Sequence, residues 1–384
     1  MHIPILDLKP QYNSLKAEIQ IAIDRVLTSC EFILGQDVRL FEQEVATYLE
    51  VPHAIAVNSG TDALMIGLRA MGVGPGDEVI TTPFSFFATA ESISNVGATP
   101  VFVDVELESY NLDVGLIESR ISPRTRAIMP VHLFGRPANM GQIMELATTH
   151  GLGVLEDCAQ SFGARYMAMC PSCHGQCSGD TRDRLAGTFT GTLGTVGAFS
   201  FFPTKNLGAY GDGGLVVTHD GAIAEVAQKL RVHGSKERYR NEVFGYNSRL
   251  DSLQAAILRV KLPHLEAWNQ ARRRIAVTYG QLLADVPGVV TPAVVSGHVF
   301  HQYTIRVLHG RRDELREFLA QRSIGSMVYY PVPQDRLPVY DGKFPPNLNS
   351  EQLAAEVLSL PLWPELTDDK LGLIAMAIAE GLGA

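Results

Sequence analysis

The sequence predicts an α/β protein, with a mostly parallel central sheet covered by helices and a smaller α+β portion after it. Three observations carry this. Short apolar runs alternate with segments of helical period from about residue 50 to residue 230. An apolar run at 198–202 ends before Pro203 in a loop that holds one lysine, Lys205, and four glycines, Gly208, Gly211, Gly213 and Gly214. Beyond Pro287 the texture changes to strand-like runs and two helices. The expected division is 1–284, comprising N-terminal helices and a large α/β domain, and 285–384, a small C-terminal α+β domain.

The elements follow in order. Residues 10–50 read as two helices, because Leu15, Ile19, Ile23 and Val26, and then Phe41, Val45 and Leu49, recur at helical spacing on either side of Gly35. Residues 54–57 form a buried strand, Asn58, Ser59 and Gly60 a turn, and a helix starts near Thr61. The free N–H groups and positive dipole end of that helix suit a phosphate, although Ser59 or Thr61 also reads as an ordinary N-cap. Strands then fall at 78–81, 100–103, 127–131 and 153–156, separated by helices at 88–95, 113–120 and 140–150. Helical pattern returns at 222–231 and at 250–279, the latter broken at Pro263. Strands are expected at 289–292 and 302–308, a helix at 313–322, an extended segment at 327–333 and a last helix from about Lys370.

In open α/β sheets, ligands bind beyond the carboxyl ends of the strands. Ser59, Gly60, Thr61, the 84–87 segment, His132, Asp157 and Lys205 all fall at such ends. A lysine beside a glycine-rich loop is often only a surface cation. Lys205, however, interrupts a chain of apolar and small residues, and a lysine in a dry place loses its proton and becomes a nucleophile able to form a Schiff base, with a carbonyl substrate or with pyridoxal phosphate (PLP). Asp157 reads either as a helix N-cap or as the carboxylate that keeps a PLP ring nitrogen protonated.

Composition narrows the function classes. With 46% hydrophobic and 19% charged residues the chain is globular. Its net charge of −9 is mixed along the chain, and no basic stripe points to nucleic acid. No signal peptide and no membrane span are expected, and five cysteines, three of them in one cluster, do not make a disulfide framework, so a cytoplasmic location is expected. The cluster Cys170, Cys173, His174 and Cys177 has the spacing of a haem attachment or of half a zinc site. With no export signal and no second Cys-x-x-Cys, it reads as a surface loop, and no metal is expected.

The motifs together resemble the DegT/StrS family of PLP-dependent sugar aminotransferases. The resemblance runs in order over nearly the whole chain: 5–8, Ser59 to Leu64, Gly74 to Val79, Glu156 to Gly163, Phe199 to Lys205, Gly211 to Gly214, Asn247 to Arg249, and Tyr330 with Pro331. It implies the aspartate aminotransferase fold, called fold type I. It implies that Lys205 binds PLP as a Schiff base, that Asp157 pairs with the pyridine nitrogen, that Gln160 sits near the ring hydroxyl and that Phe86 stacks on the ring. Gly60, Thr61 and Ser200 would hold the phosphate, and Asn247 would reach it from the neighbouring subunit of a homodimer with shared sites. The reaction implied is amino transfer from an amino acid, usually glutamate, to a keto group of a nucleotide-linked sugar, closer in motif style to C3 than to C4. Arg231, His233, Arg249 and Tyr330 are the candidate substrate contacts. Other keto acceptors, such as a cyclitol or an aminobenzoate precursor, and a regulatory protein that keeps the fold, are the alternatives. A dehydratase of the family would carry histidine at position 205. Two departures stand out: an insertion at about 166–191, where the family has a short hairpin, and Tyr329, where many relatives carry histidine.

Overall fold

The computed structural model describes residues 2–167, 179–237, 239–340 and 342–383. Cys170, Cys173, His174 and Cys177 therefore lie outside the described residues. Helices α1 (Lys9–Ser29) and α2 (Gln36–Tyr48) precede the sheet. There follow β1 (His53–Val57), α3 (Gly60–Ala70), β2 (Glu78–Thr81), α4 (Ala88–Asn95), β3 (Thr99–Phe102) and β4 (Thr125–Met129). The chain continues with α5 (Met140–His150), β5 (Gly153–Asp157), α6 (Gly179–Leu185), β6 (Val196–Ser200), β7 (Gly214–Thr218) and α7 (Gly221–Leu230). A small hairpin, β8 (Ser235–Glu237) and β9 (Arg240–Asn241), leads to α8 (Ser252–Lys261) and α9 (Leu265–Leu282). The C-terminal part holds β10 (Val289–Val290), β11 (Tyr303–Val307), α10 (Arg312–Gln321), α11 (Leu348–Glu356), β12 (Val357–Leu360) and α12 (Asp368–Leu382).

The central sheet has seven strands in the order β1-β7-β6-β5-β4-β2-β3. Six run one way, and β7 alone is antiparallel to both of its neighbours, β1 and β6. The sheet is thus mostly parallel, as a chain of crossover helices requires. One face packs on α3 and α7 through residues such as Ile66, Leu155, Val216 and Ala227. The other packs on α2 and α8 through Phe41, Phe199, Phe201 and Leu258. Burial on both faces explains why these strands read as apolar runs with no alternation. A second sheet, β10-β11-β12, is antiparallel. Its core takes in Tyr303, Ile305 and Leu358, and also Ile275, Ala276 and Tyr279 from the second half of α9.

Three expectations change. The helix expected at 113–120 is two 3₁₀ turns, Val114–Leu116 and Glu118–Arg120. The Asp113 carboxylate caps the first turn, accepting the Gly115 N–H at 3.0 Å. The run expected as a strand over 198–202 is paired over Val196–Ser200 instead, with Ser200 opposite Gly214 in the last rung. Of 289–292, only Val289 and Val290 pair in a sheet. Strands β7 and β12 and helix α11 were not anticipated.

Candidate functional site

The carboxyl ends of β1, β5 and β6, and the amino end of the reversed β7, converge at one edge of the sheet. Parallel pairing sets Asp157 of β5 opposite Ala198 of β6, two residues before that strand ends. Asp157 is buried at 4% exposure, and its carboxylate accepts hydrogen bonds from the Thr89 hydroxyl at 2.8 Å and the Ala159 N–H at 3.1 Å. Burial pushes its pKa up; Thr89, Ala159 and the positive charge of Lys205 pull it back. Lys205 stands in the loop after β6. Burial lowers its pKa to about 8, and the charge of Asp157 works in the opposite direction. The two groups therefore sit within electrostatic reach of each other, each destabilised in its charged form by the dry surroundings.

The Lys205 loop is held from below. Its amide donates to Phe202 O at 2.8 Å, and Ala209 N–H donates to Phe201 O at 2.8 Å. Helix α8 supplies two anchors seven residues apart on one face. Gln254 Oε1 accepts the Tyr210 N–H at 2.8 Å, and the buried Lys261 ammonium donates to the carbonyl of Gly208 and lies over the Tyr210 ring. Asn206 continues the loop into a buried chain. The His301 Nδ1 meets Asn206 Oδ1 at 3.0 Å, and Asn206 Nδ2 donates to Asn269 Oδ1 at 2.7 Å.

The phosphate-binding expectation fits the geometry. Ser59 caps α3, its hydroxyl accepting the Asp62 N–H at 3.1 Å. A Cβ on Gly60 would lie 2.6 Å from the Ser200 Cβ, and one on Gly214 would lie 2.1 Å from the Ser59 carbonyl oxygen. Only glycine allows the start of α3, Ser200 and β7 to close around one spot, so Gly60, Thr61 and Ser200 share the mouth of a helix N-terminus. Gln160 is buried, its Oε1 accepting the Phe134 N–H at 2.6 Å and one Nε2 hydrogen donating to the Tyr330 hydroxyl at 3.1 Å, with a second Nε2 hydrogen left to give. Phe86 is 59% exposed, with its ring centroid 6.3 Å from that of Tyr330. Asp157, Lys205, the α3 mouth, Gln160 and Phe86 form a set suited to a flat, anionic, ring-containing aldehyde: a phosphate end, a carboxylate, an amine and an aromatic face.

The outlying candidates separate. Arg231 is corrected: its guanidinium pairs with Glu42 and donates to Ala56 O at 2.8 Å, which braces β1 against α2 and leaves it committed away from any diphosphate. His233 has positive φ and is fixed through its backbone, N–H to Tyr246 O at 2.8 Å. Asn247 is exposed and accepts from Arg249. The next residue ties this segment to the site, since Ser248 Oγ accepts the Asn58 N–H at 3.2 Å.

Sequence reasoning missed Glu156 and, as an anchor, His132. Both are fully buried; Glu156 alternates with Asp157 along β5, and His132 lies three residues beyond β4, its ring bonded to Glu156. The Glu156 carboxylate accepts four N–H groups: Leu193 at 2.8 Å and Gly194 at 2.7 Å on Oε1, Gly191 at 2.8 Å and the His132 ring at 2.9 Å on Oε2. His132 Nδ1 accepts the Ala138 N–H at 3.0 Å, so its Nε2 carries the proton given to Glu156. Cys158 lies close enough that its ligand atom and those of this pair fall within 4.8 Å, but every nitrogen and oxygen there is already bonded, and the cluster is a brace. A carboxylate inside an otherwise apolar strand was the signal available.

The model of the DegT/DnrJ/EryC1/StrS aminotransferase family matches residues 13–379. The chain is 48% identical to a "pleiotropic regulatory protein" of Geobacillus stearothermophilus, with 99% of this chain and 98% of that one covered. It is 44% identical to a UDP-N-acetyl-3-dehydro-α-D-glucosamine 3-aminotransferase of Acidithiobacillus ferrooxidans, again over 99% and 98%. In three dimensions it is similar to S. venezuelae DesV, crystallised in complex with a ketimine intermediate, at a TM-score of 0.92 and 43% identity, covering 100% of this chain and 99% of that one.

Glu156→Gln sets an amide NH₂ against backbone N–H groups and leaves two of the four donors without an acceptor. The expected cost is about 2–5 kcal/mol in urea unfolding; a cost under about 0.5 kcal/mol would contradict the bracing role.

Proposed function

The chain belongs to the DegT/DnrJ/EryC1/StrS aminotransferase family, and from that premise we propose that it moves the amino group of glutamate to the C3 keto group of a nucleotide-linked sugar. It is a PLP-dependent transaminase of the fold type I class. The observation that carries the reading is the buried Asp157 at the end of β5 facing the charge of Lys205 in the loop after the adjoining β6, with the Lys205 pKa brought down to about 8. Among the relatives, one at 44% identity is named for amino transfer at C3 of such a sugar.

PLP supplies the electron sink that makes the donor's α-carbon acidic. The protein's part follows from its own groups. Gly60, Thr61 and Ser200 hold the phosphate at the start of α3. Asp157 keeps the ring nitrogen protonated, and that cation in turn relieves the cost of burying the carboxylate. Phe86 covers one face of the ring, and Gln160 reaches its hydroxyl side. Lys205 Nζ would hold the cofactor covalently and, once freed, would carry the proton between the donor's α-carbon and the cofactor's C4′, on the far side of the joining nitrogen. An amine with a pKa of about 8 is poised for both tasks near neutral pH, whereas an ordinary lysine is almost wholly protonated there.

A homodimer is part of the same reading. Phe244 is 92% exposed and Tyr239 is 87% exposed, both beside the β8–β9 hairpin, and neither exposure suits a free surface. Asn247, three residues beyond Phe244, would then enter the partner's site. Arg249 and Tyr330 are the substrate contacts proposed here, and a cytoplasmic location fits a soluble sugar-nucleotide substrate. No described helix is long and apolar enough to cross a membrane. The regulatory relative supports a second reading, in which the chain binds PLP as a sensor without turnover.

Two measurements test the assignment. Lys205→Ala is expected to keep the fold by circular dichroism and to lose at least about 10³-fold in turnover; appreciable residual turnover would refute the role of Lys205. When apoprotein captures PLP, only the amine form attacks, so the rate should rise with pH through a midpoint near about 8; a midpoint near the ordinary 10.5 would contradict the lowered pKa of Lys205.

A further inference from the structure

The segment 82–90 carries Phe86, which the proposed reading sets against the ring, and Thr89, whose hydroxyl reaches Asp157. Helix α4 begins inside this segment, and its N-cap residue, Phe87, makes no side-chain bond to the first turn. The free N–H groups of that turn must find their partners elsewhere.

The hydroxyls on this turn form a chain with one direction. Ser85 Oγ lies 2.9 Å from Thr89 Oγ1, and Thr89 Oγ1 lies 2.8 Å from Asp157 Oδ2. An ionised carboxylate only accepts, so Thr89 gives its hydrogen to Asp157 and Ser85 gives its own to Thr89. All three residues are buried, Thr89 completely. Burial raises the pKa of Asp157, and among the groups that oppose it the Thr89 hydroxyl comes first, ahead of the Ala159 N–H and Lys205.

Gln334, from the C-terminal part of the chain, ties both ends of the segment. Its Oε1 accepts the Ala90 N–H at 3.1 Å, its Nε2 donates to Thr82 O at 3.3 Å, and its own N–H donates to Pro83 O at 2.8 Å. Turning the amide over would set like against like at both side-chain contacts, so its orientation is fixed. Gln334, Thr82 and Ala90 are all buried, and without the amide an N–H and a carbonyl lose their partner inside the protein. The Tyr340 hydroxyl adds a second tie, donating to Ala90 O at 3.1 Å. The residue held in this way, Ala90, directly follows Thr89.

We propose that Gln334 is a positioning residue: by holding the first turn of α4 it sets the Thr89 hydroxyl on Asp157, so that the C-terminal segment governs how firmly Asp157 engages the ring nitrogen of PLP. This claim rests on the proposed roles of Asp157 and PLP. Without the Thr89 bond the carboxylate is costlier to keep ionised in dry surroundings, and it holds the ring proton less well.

Binding, not turnover, tests it. Apoprotein is titrated with PLP and with 1-deaza-PLP, in which carbon replaces the ring nitrogen. Both carry the aldehyde and the phosphate, so the ratio of their dissociation constants reads the contact between Asp157 and the ring. The wild type is expected to prefer PLP by at least about thirtyfold, within the range of a hydrogen bond between charged groups. Thr89→Val keeps the shape and removes the hydroxyl, and the ratio is expected to fall at least about tenfold. Thr89→Ser restores a hydroxyl and is expected to stay within about threefold of the wild type. Gln334→Met keeps the bulk and removes the amide; it is expected to lower the ratio at least about threefold, and to add nothing in the Thr89→Val background. If Gln334→Met does not fold by circular dichroism, Tyr340→Phe, which loosens the same turn at the Ala90 carbonyl, takes its place with the same two expectations. An unchanged ratio in Thr89→Val, an equal loss of both ligands in either variant, or a further fall in the double variant overturns the proposal and leaves Asp157 at the ring nitrogen. A wild type that binds both ligands equally removes Asp157 from the ring nitrogen, and the positioning role falls with it.

Discussion

A buried carboxylate at the end of β5 and an amine in the loop after the adjoining β6, each within reach of the other's charge, are the constraint on which the rest of the molecule depends. Neither Asp157 nor Lys205 is comfortable there in its charged form: burial raises the one and lowers the other. Each partly relieves its partner, and the residual strain is what a cofactor with a cationic ring nitrogen and an aldehyde removes. In the proposed reading, Asp157 would gain a cation at the ring nitrogen and Lys205 would lose its charge in holding the aldehyde. The parallel sheet makes this possible because it delivers the ends of β5 and β6 to one edge at neighbouring positions.

The opposite side of that edge is built to hold still. Glu156 alternates with Asp157 along β5 and gathers four N–H groups, three of them from the segment that returns from the insertion. Gly191, Leu193 and Gly194 are thereby tied to the strand that carries Asp157. Helix α8 does the same for the Lys205 loop through Gln254 and the buried Lys261. Arg259 on that helix binds Asp37 and Glu44 of α2, so the N-terminal helices are drawn into the same support. Preorganisation of this sort lets small groups act at fixed distances.

Much of this was legible in the sequence, for identifiable reasons. The parallel strands read correctly because burial on both faces makes them apolar throughout, and α4 and α5 because their periodicity and flanking turns agree. Lys205 and Asp157 stood out as charges at strand ends. Strand β7 was missed because Leu215, Val216 and Val217 follow a glycine-rich loop that dominated the reading, and α11 with β12 because no turn signal separates them. Arg231 misled because an arginine near a site looks available until its partner, Glu42, nearly two hundred residues away in sequence, is placed beside it. Glu156 and His301 acquire meaning only from residues brought to them by the tertiary fold. The smaller sheet draws part of its core from α9, so the change of texture at Pro287 marks where the chain enters that sheet; the division at 285 remains our proposal for the domain boundary.

The central claim is that Lys205 and Asp157 make this chain an amino-transfer catalyst, and the visible spectrum of the purified, PLP-loaded protein tests it most directly. On addition of glutamate with no acceptor present, the yellow of lysine-bound PLP is expected to fade, with about one equivalent of 2-oxoglutarate released per site. A protein that takes up PLP but keeps its colour with glutamate and releases no 2-oxoglutarate would contradict the account and favour a sensor that has kept the fold.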